Sequence, residues 1–529
     1  NEDGAGDSDQ GPGLPGVVCA AVVATVFALS PAVWFQSVRA EVYNLNGVII
    51  LGIVLCAVRW STAPVRTGYA LLPSLLVGLG LANHHFLTIL GSLACIAYLL
   101  FFPAVRARLL SKLLIPMALL AFAGLLTYAY LPVRAADGWL MWGDPSTPSG
   151  LYSLLSAESF HASVTERDKA PFLVAMLTIF EKWVDLAGFP LFVAGAVGLI
   201  FAFLTNPRLG GLLLLLILAG GTSKAIMYLD VENPDDHAYF LMGLQGLAAA
   251  AVALVHFPRV IGWERRKAAI AAWVTTAVVL LLTAWSGAVL YRQNVSHADL
   301  SAFSGGDVLN RHFHERLSPD ALFMPSYYAT FFNHMYYREV EKRRPDVAMI
   351  HQSLYSRFEG GKGYARDMAA AYPEAEALFA EYFETGGFPL ASLLKIAETR
   401  EVVLETDVLE VDPGLTEFAL FSLGKGGMPL PMSILTFRGP GVQLNLSAEL
   451  PAVEMAHQKL FWTAFYEDME GTPLHPELSK LLVWYHYRNA LYFINEENYQ
   501  AALLETRLAR NLTPNSGRLL DLELRLSAQ

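Results

Sequence analysis

Arg39-Ala40-Glu41-Val42-Tyr43 lies between two apolar runs, residues 16–36 and 44–58, each able to enter a bilayer. A charge at mid-depth in hydrocarbon costs about 2.5–3.5 kcal/mol on insertion scales. Such a pair therefore belongs at a membrane edge or against a wet cavity. There Glu41, with Tyr43 beside it, would hold a substrate hydroxyl, a cation or Arg39; the plainer reading is an Arg–Glu pair tying helix ends. Asn83-His84-His85 interrupts another apolar run, and an imidazole there can contact a phosphate or donate to a hydroxyl. Joint metal ligation by His84 and His85 is disfavoured, because neighbouring helical side chains diverge by about 100°.

Arg134 stands where an apolar span ends, after Tyr130-Leu131-Pro132-Val133. Its guanidinium fork suits two phosphate oxygens; the alternative is a side chain reaching back to the interface. Trp142 follows, either a membrane-interface anchor or a ring that stacks on a sugar. Gly143-Asp144-Pro145 is a tight turn presenting a carboxylate. Asp235-Asp236-His237 closes an acidic loop, 229–237, that is either solvated or able to hold a divalent cation through oxygen ligands. Candidate substrate-binding residues are thus Glu41, Tyr43, His84, His85, Arg134, Trp142 and Asp144, with Asp235 and Asp236 as candidate metal ligands.

The elements that must position these residues are apolar. Candidate spans cover 16–36, 44–60, 69–83, 85–102, 112–131, 185–204, 210–228, 237–256 and 268–291. About 20 helical residues cross a 30 Å core, so 69–102 reads as one long tilted helix or as two short crossings. Arg59 and Arg66, then Arg106, Arg108 and Lys112, then Arg208, then Arg265, Arg266 and Lys267 fall in four loops. Nine spans put all four on one side, the cytoplasmic side by the positive-inside rule. Glu41, His84, His85, the long loop 132–184, loop 229–237 and the C-terminal part then share the other side. A single crossing at 69–102 would break that agreement, so two are expected. Residues 150–184 read as one or two helices lying in the interface.

The chain has 529 residues, 54% of them hydrophobic, and a net charge of −11. Mean hydropathy is +0.39. The apolar residues concentrate in 16–291, which predicts a polytopic α-helical membrane domain, preceded by a loop over 1–15 and followed by a soluble part. The acidic balance argues against nucleic acid. Cys19, Cys56 and Cys95 all fall in apolar spans, where they read as small buried hydrophobes.

The soluble part reads as α/β over 292–450 and helical over 451–529. Residues 321–325, 327–341 and 346–350 predict strand, helix and strand, a parallel unit. Ala490, Phe493, Ala502, Ala509 and Pro514 fit either one tetratricopeptide-like repeat or a plain helical hairpin. Asn294, Asn445 and Asn511 begin glycosylation sequons, informative only for a eukaryotic source. No Gly-rich phosphate loop, Gly-x-Ser-x-Gly elbow or His-Glu-x-x-His motif is present.

Several segments, in order and spacing, resemble the family once called domain of unknown function 2723, the transmembrane protein 260 type of protein O-mannosyltransferase. They are Ser30-Pro31-Ala32-Val33-Trp34 with Ala40-Glu41-Val42-Tyr43-Asn44-Leu45, Gly78-Leu79-Gly80-Leu81-Ala82-Asn83-His84-His85, Tyr130-Leu131-Pro132-Val133-Arg134, Trp142-Gly143-Asp144-Pro145, and Arg344-Pro345-Asp346-Val347. The resemblance implies a fold of the GT-C superfamily. It also implies transfer of a sugar such as mannose from a polyprenyl or dolichyl phosphate to an acceptor hydroxyl, on a protein or another acceptor. Lipid-linked donor, acceptor protein and membrane lipids would be the partners. The setting would be a bacterial inner membrane with a periplasmic soluble domain, or the endoplasmic reticulum membrane of a eukaryote. The family carries its proposed catalytic acid in a first extracytoplasmic loop, here expected upstream of Asn1 together with two further spans. The alternative is a non-enzymatic protein, a lipid-linked sugar transporter or an assembly scaffold.

Overall fold

The computed structural model describes residues 14–39, 41–136, 145–157, 170–226, 229, 234–256, 265–352, 365, 369, 372–373, 375–385, 389–405, 431, 433–437 and 450–529. The chain forms two compact units. One comprises residues 1–130 and 160–300, the other 131–159 and 301–529.

The first unit is helical and apolar, as its composition requires: in hydrocarbon every backbone polar group must be satisfied within its own segment. Among the described residues five helices are long and apolar enough to cross a membrane, or up to seven when each of two bent pairs is one span. That number takes Gly68–Leu99 as one helix; the nine expected stretches overlap helices of this unit, with 69–83 and 85–102 on the two arms of Gly68–Leu99. Leu241–Ala253 is a 13-residue helix, short for a crossing. Leu14–Ala28 bends by 65° into Pro31–Ser37, and Phe172–Ala187 by 116° into Phe189–Thr205. The Phe172–Ala187 helix, which overlaps the stretch 150–184 where one or two interfacial helices are expected, packs in one apolar cluster with Phe192, Ile217 and Leu244.

Gly68–Leu99 is two helices joined at His84, which leaves helical geometry (φ −153°, ψ 90°). The run doubles back there. A Cβ on Gly80 would lie 2.7 Å from Thr88 Oγ1, whereas eight residues of straight helix span about 12 Å. Tyr69 and Ala70 at one end and Leu99 and Phe102 at the other join the same cluster around buried Trp60. Arms 68–83 and 85–99 therefore run antiparallel, and the His84 imidazole meets the amide of Leu87 at the start of the second arm (3.5 Å). Glycine lets the helices approach closely: Gly78 meets Ala121 and Gly124, and Gly198 meets Ala250. Small residues at such contacts are the usual device of membrane bundles. The three cysteines are buried and free.

The second unit holds a four-stranded sheet of order β2-β1-β3-β4, with β1 Leu322–Met324, β2 Ala348–Met349, β3 Val402–Glu405 and β4 Ile434–Phe437. β1 pairs in parallel with β2 and β3, and β3 pairs antiparallel with β4. The expected parallel strand–helix–strand unit is present, its crossover starting with helix Tyr328–Met335. Core clusters cover both faces. The chain passes from β1 to β2 on one side and returns from β2 past β1 to β3 on the other, and open α/β sheets bind ligands outside the strand ends at such a switch point. Here that place is filled by Glu405 of β3. Its carboxylate accepts from the Ser326 and Tyr327 amides (3.0 Å each), from Thr330 Oγ1 (2.5 Å) and from the Tyr485 hydroxyl.

Pro476–Asn495, Tyr499–Leu512 and Gly517–Ser527 form a helical hairpin followed by a third helix. Ala490, Phe493, Ala502 and Ala509 are buried as the pattern predicted, but nothing in the arrangement supports a tetratricopeptide-like domain. A polar relay holds it instead. His486 takes Glu505 at Nδ1 (2.7 Å) and Tyr466 at Nε2 (2.8 Å), and Asn489 donates to Glu505 (3.3 Å).

This unit also buries histidines that favour the neutral form. Burial, and then the Arg344 charge, push His314 down to about 3. Burial alone takes His351 down to about 4. His334, in contact with His314, is held well below the ordinary imidazole value by burial and by that neighbour. A base whose folded pKa is depressed contributes stability above its unfolded pKa and loses it as pH falls. Glu405, pushed up to about 7 by burial, has the opposite slope, favouring the fold below its unfolded value. Three histidines outweigh one carboxyl, so the denaturation midpoint of this unit is expected to fall between pH 6.5 and 4. His351→Gln should flatten that fall. An unchanged slope in the variant would show that the acid sensitivity lies elsewhere.

Candidate functional site

The first unit has two chemically distinct ends. At one, Arg208 lies over the Phe102 ring (4.8 Å), beside the Trp60 cluster that includes Val105, Leu109 and Leu113. The segments carrying Arg59, Arg66, Arg106, Arg108 and Lys112 meet there. At the other end the break at His84 faces the start of the Tyr43–Thr62 helix. Asn46 donates to Thr88 Oγ1 (2.8 Å) and to the His84 carbonyl (3.4 Å), and Asn83 donates to the Val42 carbonyl (2.9 Å). These bonds have a simple cause: a polar turn between apolar arms must satisfy its groups at the bundle end.

Around that turn Tyr43, His84 and Tyr239 form an aromatic cluster, each pair of ring centroids 5.3 Å apart. His85 lies 6.4 Å from His84, their planes within 28°. His84, one of the two, leaves helical geometry. Arg39 pairs with Asp235, and more loosely with Glu41 at 3.8 Å. Lys224 pairs with Asp236 at 2.7 Å and lies 4.8 Å from the Tyr239 ring centre.

The structure thus brings together Glu41, Tyr43, His84, His85, Asp235 and Asp236. It adds Lys224, Tyr239 and Asn46, which were not expected. Lys224 is the one Lys or Arg in the span 207–226 beyond Arg208, and a lone cation at the end of an apolar run beside an acidic loop is the signal that would have found it. Asp235 and Asp236, the candidate cation ligands, each face a cationic side chain, Arg39 and Lys224. No group of three or more His, Cys, Asp or Glu gathers among the described residues. Arg134 is half-buried on helix Tyr130–Ala136 of the second unit. Trp142 and Asp144 lie outside the described residues.

Fold and site together define a multi-pass helical membrane protein with a charged, aromatic cluster at one end of its bundle. Residues 5–108 match the family described as Protein O-mannosyl-transferase TMEM260 N-terminal domain. That stretch includes the Arg39–Tyr43 segment and the Asn83–His85 turn, two of the motifs that carry the resemblance. A relative named Protein O-mannosyl-transferase TMEM260, from Mus musculus, is 32% identical over 145 residues. The match covers 26% of this chain and spans only 20% of the relative's length. No solved structure matches.

Proposed function

We propose that the protein is a membrane glycosyltransferase that moves a sugar, mannose by the relative's name, from a polyprenyl or dolichyl phosphate to an acceptor hydroxyl. The observation that carries the reading is the collection of Arg39, Glu41, Tyr43, His84, Lys224 and Tyr239 at one end of an apolar bundle, within or beside the region that matches an O-mannosyl-transferase domain. A lipid-phosphate donor needs such a place: apolar flanks for its tail, cations for its phosphate and aromatic faces for its sugar.

In a single displacement the acceptor oxygen bonds to the anomeric carbon as the bond to the phosphate oxygen breaks. The configuration inverts and the acceptor proton leaves to a base. His84 or His85 holds a phosphate oxygen, and Arg134, a residue of the second unit, is proposed as a phosphate ligand from its place at the end of an apolar span. Glu41 positions the acceptor hydroxyl or a divalent cation and Tyr43 lines the sugar; Trp142 and Asp144 are proposed for sugar and acceptor on their residue types alone, and the second unit receives the acceptor protein. Sugar transfer takes place on the face opposite the basic loops.

The test is turnover of radiolabelled polyprenyl-phosphate mannose by the full-length protein in nanodiscs. Arg134→Ala is expected to lower transfer about 10²–10³-fold, the scale of removing one preorganised group that stabilises developing charge, and the double His84/His85→Ala change about tenfold or more. Transfer that survives both would overturn the residue assignment. Lipid movement across the bilayer without donor consumption would replace the enzyme reading with a transporter.

A further inference from the structure

Lys224 and Asp236 are unused in the mechanism above, yet they form the most buried ion pair of the polar end, with side chains 13% and 9% exposed. Removing two charges from water costs several kcal/mol per ion, and replacing such a pair by apolar residues is often neutral or stabilising. Stability alone therefore gives little reason to keep it. The adjacent residue repeats the pattern: Asp235 takes Arg39, whose guanidinium lies 4.8 Å from the Phe35 ring centre. Two cations, each backed by an aromatic face, thus rest on neighbouring carboxylates of one six-residue helix, Pro234–Tyr239. The neighbouring ring of Tyr239 also meets Tyr43 and His84.

We propose that Asp235 and Asp236 are resident counter-ions that a phosphate ester displaces. Before phosphate binds they hold Arg39 and Lys224 oriented. When phosphate enters, Lys224 Nζ and the Arg39 fork pass to its oxygens and the carboxylates turn to water. A compact ammonium and a planar fork together suit a phosphate monoester or diester. The carrier of that phosphate, a polyprenyl chain, rests on the glycosyltransferase reading; the exchange of counter-ions does not.

The exchange gives the two partners opposite effects, which a structural pair does not. Full-length protein in nanodiscs of neutral phosphatidylcholine is titrated with polyprenyl monophosphate, with inorganic phosphate as competitor and phosphatidylglycerol as a second lipid. Lys224→Gln is expected to weaken polyprenyl-phosphate binding about tenfold or more, the scale of one lost charged hydrogen bond. Asp236→Asn, which removes the competitor, should tighten it severalfold. The swap Lys224→Asp with Asp236→Lys should restore the thermal midpoint but not the binding. Lys224→Arg should retain it, and with Asp236→Asn it keeps the test decisive if Lys224→Gln does not fold.

Competition by inorganic phosphate supports headgroup recognition, whereas equal binding of phosphatidylglycerol would overturn the donor assignment in favour of bulk lipid. If the protein binds polyprenyl phosphate but Asp236→Asn weakens it as Lys224→Gln does, the exchange is refuted and the glycosyltransferase reading stands. If the unaltered protein binds no phosphate lipid at all, that reading falls with it.

Discussion

Glu405→Ala is expected to destabilise the second unit by about 3–5 kcal/mol, the scale of several buried donors losing one shared acceptor. Four donors converge on this fully buried carboxylate: two backbone amides, the Thr330 hydroxyl and the Tyr485 hydroxyl. Removing the acceptor leaves all four dry and unpaired, and each buried orphan costs about 1–3 kcal/mol before relaxation. The damage is not local, because Glu405 joins β3 to the turn after β1 and to the Pro476–Asn495 helix. Glu405→Gln keeps an oxygen for the amides and offers its NH2 to hydroxyls that can accept. It should therefore fold nearly as well.

The pair of variants separates charge from polarity. Burial pushes the Glu405 carboxyl up to about 7, so its folded pKa is raised, and its contribution is present below the unfolded pKa and lost as pH rises toward 7. Glu405→Gln removes that dependence. The measurement is the chemical-denaturation midpoint of the second unit at pH 5 and pH 8. Near-equal midpoints for Glu405→Ala and the parent would refute the role given to the network.

The second large effect lies in the bundle. A Cβ on Gly198 would sit 2.0 Å from the Ala250 carbonyl oxygen and 2.5 Å from its carbon. Both are backbone atoms, so only separation of the Phe189–Thr205 and Leu241–Ala253 helices relieves the clash. Gly198→Ala is expected to cost about 1–3 kcal/mol as overpacking, and Gly198→Leu to prevent accumulation of folded protein. Gly211 supplies the control: a Cβ there meets nothing within 4 Å. Alanine at that helical position should be neutral or stabilising by up to about 1 kcal/mol. Thermal midpoints in detergent check both. Equal midpoints for Gly198→Ala and Gly211→Ala would show that the two helices do not meet as described.

The bundle bears on function because its packing fixes the polar end. The Leu241–Ala253 helix follows directly on Pro234–Tyr239, and Gly220 of the Lys224 helix approaches Gly243. Loosening these contacts would move Lys224, Asp236 and Tyr239 relative to Tyr43 and His84. A bundle variant that still folds should therefore lose phosphate-lipid binding before it loses helicity.

The amino-acid sequence determined that apolar helices long enough to cross a membrane lie in the first part of the chain and that Glu41, His84 and Asp235 mark polar breaks among them, because the cost of charge in hydrocarbon is paid locally and shows as interruptions of apolar runs. It also determined the parallel strand–helix–strand unit after residue 320, since alternating short apolar runs and a helical period are local signals. It favoured two crossings over 69–102 from the placement of the basic loops, but did not reveal the contacts that hold the fold-back at His84, where Gly80 meets Thr88. Nor did it choose partners for Asp235 and Asp236. A carboxylate is neutralised as well by a metal as by a cationic side chain, and Arg39 is 196 residues from Asp235 in the chain. Lys224 and Tyr239 joined the site for the same reason. Only tertiary packing decides which distant charges meet, because electrostatic pairing depends on separation in space and on exclusion of water, and neither is written in residue order.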